Sequence, residues 1–114
     1  MKINPKNGQF TLSEFGNRAL IPKMSANEYM GLGFKLGNPE NPSVQTHFQQ
    51  KTFSFFAIQF QEGRLRTITL GTDSDKAKNH LKQLGIKPQA YDWGDVKLGS
   101  HAQSGEMWIE IRYK

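Results

Sequence analysis

Residues 53–70 read FSFFAIQFQEGRLRTITL, two runs rich in Phe, Ile and Thr on either side of a Glu62-Gly63 pair. Aromatic and β-branched residues suit a pleated surface, and a Gly-containing dipeptide between two such runs closes a hairpin. Counting outward from a two-residue turn puts Gln61 opposite Arg64, Phe60 opposite Leu65, Ile58 opposite Thr67 and Phe56 opposite Thr69. Opposed residues share a face, so Phe56, Ile58, Phe60 and Leu65 form one apolar surface. The other is apolar at Phe53, Phe55, Ala57, Ile68 and Leu70, and polar near the turn at Gln59 and Arg66. A hairpin apolar on both sides at its base belongs near the centre of a sheet covered at least partly on both faces.

The remaining elements arrange themselves around that hairpin. A short strand is expected at residues 9–12. Ser25 followed three residues later by Glu28 is a capping box, with Met24 and Tyr29 placed as a hydrophobic staple, so a short helix starts there. Gly31, Gly33, Gly37 and the turn-rich segment 38–42 end it. After the hairpin, Thr72-Asp-Ser-Asp75 supplies caps for a second helix with Ala77, Leu81 and Leu84 on one stripe, stopped by Gly85 and Pro88. Residues 91–98 read as a strand and 99–105 as a loop. Residues 107–113 alternate, with Met107, Ile109, Ile111 and Tyr113 on one side and Trp108, Glu110 and Arg112 on the other. Consecutive strands joined by short turns imply an antiparallel sheet. The expected fold is one α+β domain over residues 1–114, an antiparallel sheet of about four to five strands with two short helices packed on it.

Composition narrows the function. A chain of 114 residues fits one domain. It has no cysteine, which excludes disulfide scaffolds, thiolate metal sites and cysteine nucleophiles. The opening MKINPKNGQF lacks the apolar run of a secretory signal, and no stretch approaches the roughly 20 apolar residues of a membrane span, so a cytoplasmic protein is expected. The formal charge of +5 favours acidic partners.

Chemistry-bearing motifs are sparse. His47, His80 and His101 stand far apart without the short spacings of a zinc site, so neither metal nor cofactor is expected. Asp73 and Asp75 read as helix caps, Asp92 and Asp95 as turn residues, and no Gly-x-Ser-x-Gly elbow presents a nucleophile. Gly31, Gly33 and Gly37 follow a helix, whereas a dinucleotide-binding fingerprint follows a strand. An enzyme acting on a small-molecule substrate is therefore not expected. A nucleic-acid-binding module using Arg64, Arg66, Lys76, Lys78 and Lys82 is the alternative to a protein-binding function. It is weakened because the Phe-rich face is a core face and the RNA-recognition signature is missing. Trp108, on the polar side of the last strand, and Trp93, among turn residues, are candidate anchors of a protein interface. Arg64, Arg66 and Arg112 join them as candidate contacts, since Trp, Tyr and Arg dominate binding hot spots.

Several short pieces also carry a resemblance: MKINPKNGQFTL at the start, IPKMS at 21–25, FQEGRL at 60–65, WGDV at 93–96 and IEIRY at 109–113. Together they resemble immunity proteins encoded beside polymorphic or contact-dependent growth inhibition toxins of bacteria. The resemblance implies a small non-enzymatic cytoplasmic domain that binds a cognate toxin domain and blocks its active site or access to substrate. Inhibitors that plug nuclease sites are often acidic, and this chain is basic. That suits a toxin with an acidic surface, or binding away from the substrate groove. Immunity surfaces vary with their toxins, so no contact residue is carried over.

Overall fold

The computed structural model describes residues 1–13, 16, 18–33, 44–46, 52–101 and 103–114. His47, Gly37 and the turn-rich segment 38–42 lie outside the described residues. The fold is α+β, but its strands form two antiparallel sheets where one was expected. A three-stranded sheet is built from β1 (Lys2–Ile3), β2 (Phe10–Leu12) and β3 (Arg18–Leu20), in that spatial order. After helix α1 (Ala26–Gly31) come β4 (Val44–Thr46), β5 (Phe56–Gln61), β6 (Arg64–Asp73), helix α2 (Ala77–Leu84), β7 (Ala90–Tyr91), β8 (Gly94–Ser100) and β9 (Glu106–Tyr113). These last six strands form one sheet in the order β4-β5-β6-β9-β8-β7. It is larger than the four to five strands expected.

The capping box forms as the sequence implies. Ser25 Oγ accepts the Glu28 amide at 3.1 Å, and Glu28 Oε1 accepts the Ser25 amide at 3.2 Å. Met24 and Tyr29 are both buried beside it, closing the staple. At α2 the capping is different: Lys76 holds the N-cap position without a side-chain cap, and Asp73 Oδ1 accepts the Asp75 and Lys76 amides just before it. Gly85 ends α2 at φ 82°, a left-handed conformation that costs glycine little.

The hairpin differs from the expected register. Phe60 pairs with Leu65 and Gln61 with Arg64, but Gln59 pairs with Thr67, Ile58 with Ile68 and Phe56 with Leu70. Arg66 is the extra residue of a β-bulge between the two registers. Because side chains alternate with period two, this single extra residue turns Ile68 and Leu70 to the same face as Phe56, Ile58 and Phe60. Ile58, Ile68 and Leu70 are fully buried there. The sheet thus has one apolar face, not two.

Along β9, Ile109, Ile111 and Tyr113 continue that face, and Val96 of β8 extends it. Phe10, Leu12 and Leu20 from the small sheet, Tyr29 from α1 and Leu81 and Leu84 from α2 complete a single core. Phe10 meets Phe56 edge-on at 5.7 Å and Tyr29 meets Phe60 at 5.4 Å. Each such side chain contributes roughly 1.5–3 kcal/mol on burial, so one continuous layer accounts for most of the driving force.

Candidate binding interface

The helices and the small sheet pack on the apolar face, which leaves the other face of the large sheet to the remaining side chains of β5, β6, β9 and β8. Three rows cross it. Ala57, Thr69, Glu110 and Lys97 make one; Gln59, Thr67, Arg112 and Asp95 make the next. The third runs from Phe55 over Gly71 to Trp108 and Gly99.

The third row explains why glycines stand in the middle of two strands. A Cβ on Gly71 would fall 2.3 Å from the Phe55 ring, and a Cβ on Gly99 would fall 2.1 Å from the Trp108 indole. Each half-buried ring occupies the space where the glycine's Cβ would stand, so only glycine fits beneath it. Trp108 is therefore a sheet-surface residue, presented where the sequence placed it. Both described helices lie on the opposite face.

The two charged rows place Lys97 directly opposite Glu110 and Asp95 directly opposite Arg112. Among the described residues no salt bridge joins either pair. Arg112 and Lys97 are exposed, and Glu110 and Asp95 half-buried. Among the described residues these two exposed and two half-buried charges have no ionic partner, and they stand next to the aromatic row. Chemically the face can offer a flat apolar anchor and charged hydrogen-bonding groups of both signs to a second surface.

The other anticipated contacts lie elsewhere. Trp93, in the β7–β8 turn, donates its indole N–H to the Pro5 carbonyl at 2.9 Å and stacks on Tyr91 at 4.9 Å. Its ring also closes over Gly8, where a Cβ would come within 2.5 Å and where φ is 77°. Tyr113 reinforces the same junction by donating its hydroxyl to the Gly8 carbonyl at 2.7 Å. Burial pushes that phenol well above its usual range. Trp93 consequently ties the β1–β2 loop to the large sheet, and its polar atom is spent on that bond. Arg64 stands at the hairpin turn, with Nη1 3.7 Å from Glu28 Oε1 and 3.5 Å from the Lys23 carbonyl. Arg66, the bulge residue, is half-buried, and its Nε has no hydrogen-bond partner among the described residues. Of the five anticipated contacts, Trp108 and Arg112 share the open face, while Arg64 and Arg66 gather at the hairpin end.

His80 occupies a different place again. Its Nδ1 lies 2.7 Å from Thr72 Oγ1, its ring packs on Phe53 at 4.7 Å, and the Thr52 backbone hydrogen-bonds it. Burial lowers its pKa; Asp73 and the Thr52 bond oppose that shift, and Lys76 adds to it. Nothing in the sequence marks this role beyond the position of His80 beside the apolar stripe of α2. The imidazole clasps α2 to the end of β6. His101 is exposed in the β8–β9 turn. Among the described residues no three His, Asp or Glu side chains gather as a metal site. No described helix is long and apolar enough to cross a membrane. No protein-family model matches this chain, and no curated protein or solved structure matches it significantly.

Proposed function

We propose that this chain is an immunity-type binding protein that neutralises a cognate bacterial toxin domain by direct contact and performs no catalysis. The observation that carries the reading is the open face of the large sheet. There Trp108 covers Gly99 beside Arg112, Glu110, Lys97 and Asp95, charges in no ion pair among the described residues. A rigid sheet presenting a fixed aromatic and uncommitted charges loses little conformational freedom on association, which favours tight binding. The resemblance of the opening segment, the 21–25 turn, the hairpin turn and the last strand to toxin-immunity proteins agrees with such a surface. The nucleic-acid alternative has less support, because Phe56 and Phe60 are buried and unavailable for base stacking.

The experiment is a titration of a toxin domain, taken from the reading frame adjacent to this chain's own, with the purified protein. Purified protein is expected to abolish the toxic activity at one-to-one stoichiometry. A toxin that remains fully active at saturating protein would overturn the reading.

A further inference from the structure

At the end of the sheet where the β5–β6 turn meets the end of β9, a shallow hollow of about 340 Å³ is lined by Lys23, Gln61, Glu62, Arg64, Arg66 and Lys114. Four cationic side chains there face one carboxylate. Independent irregularities of the backbone deliver two of those cations. Lys23 has φ 65° in the turn closed by the Met24 amide on the Ile21 carbonyl, a conformation that glycine adopts far more readily than lysine. Arg66 is the extra residue of the bulge, a device that re-aims a side chain. A third irregularity, the positive φ of 54° at Glu62, belongs to the tight turn itself.

The two guanidinium groups retain unused donors. The contacts of Arg64 to Glu28 and the Lys23 carbonyl are long, and both ion-pair partners are well exposed, so they hold it weakly. The Nε of Arg66 lacks an acceptor among the described residues. Each guanidinium offers five N–H donors in a planar fork that matches the two oxygens of a carboxylate.

We infer that this hollow receives a carboxylate-bearing, acidic segment of the protein partner. The inference rests on the binding-protein reading above and names the chemistry of one of its contacts. A protein acid fits better than a phosphodiester backbone for two reasons on the molecule. No aromatic side chain lines the hollow to stack a base. Glu62 in its lining and Glu28 beside Arg64 also interrupt any continuous track for successive phosphates. The basic character that departs from acidic nuclease inhibitors thereby acquires a partner of opposite charge.

The test follows the arginine side-chain Nε–H resonances of the full chain by NMR at low salt, titrating an oligo-aspartate peptide or an oligothymidylate of matched charge. The peptide is expected to move the Arg64 and Arg66 signals and to bind at least about tenfold more weakly to the Arg64→Gln/Arg66→Gln variant. Lys114→Gln, at an exposed position, is expected to weaken it as well and covers the case where the double variant folds poorly. Three results would each overturn the inference: no movement of the arginine signals, equal peptide affinity in both variants, or tighter binding of the oligothymidylate. No toxin enters this titration, so its failure leaves the inhibition result to stand by itself.

Discussion

His80 shows how much a single side chain can hold. Its imidazole joins α2 to β6 through Thr72 and rests on Phe53, and burial lowers its pKa. A histidine whose folded pKa is lowered binds fewer protons than in the unfolded chain, so stability rises with pH across that interval. Its contribution is complete above about 6.5, the unfolded value, and is lost as pH falls from there through the lower folded value. Burial sets this window first, with Asp73 and the Thr52 backbone bond narrowing it and Lys76 widening it. Urea unfolding between pH 5 and 8 (~ the range in which an unperturbed imidazole titrates) is expected to show this loss in the natural protein and not in His80→Leu. Parallel curves for the two would refute it. The sequence placed His80 near an apolar stripe but could not supply Thr72 or Phe53, which reach it from other elements. Trp93 was illegible for the same reason, because its acceptor, the Pro5 carbonyl, is 88 residues away. Ser25 and Glu28, whose bonds span three residues, were legible in full.

Among the elements, the β5–β6 hairpin is the instructive one. Its turn and innermost pairs follow from Glu62-Gly63, yet the register beyond Phe60 does not follow from a regular ladder. A trace of the bulge stands in the sequence: Leu65, Ile68 and Leu70 are spaced by three and then two, and only an extra residue between Leu65 and Ile68 puts all three on one face. Deleting Arg66 should therefore leave Phe60 opposite Leu65 and Ile58 opposite Ile68, with stability within about 1 kcal/mol of the natural chain. Deleting Thr69 lies beyond the bulge and should turn Leu70 outward, costing roughly 2–5 kcal/mol, as for loss of a large core side chain. Denaturant midpoints compare the two deletions, and equal losses would contradict the assigned bulge. The three-stranded sheet escaped the sequence reading because its strands of two and three residues are too short for alternation to register. The sequence marks only residues 9–12 as a strand there, and β2 occupies most of that span.

For the whole molecule, the α+β class and the antiparallel pairing were legible, because short turns between apolar runs leave few other topologies. The division into two sheets was not, since it depends on contacts between the β1–β2 loop and the far end of the large sheet. One-sidedness is the property on which the proposed function rests. All the described helices and the small sheet crowd onto one face, and the bulge keeps Ile68 and Leu70 there too, so among the described residues the other face is left to its own side chains, mixed in charge and including Trp108. The central claim is that this face makes the complex with a toxin. Its most direct measurement is the affinity of that toxin for the natural protein and for Trp108→Ala/Arg112→Ala, with cooperative unfolding confirmed for both. The account predicts a variant that stays folded and binds at least about 100-fold more weakly, as expected when hot-spot residues are truncated. Equal affinity in two folded proteins would contradict it and remove the open face as the binding surface.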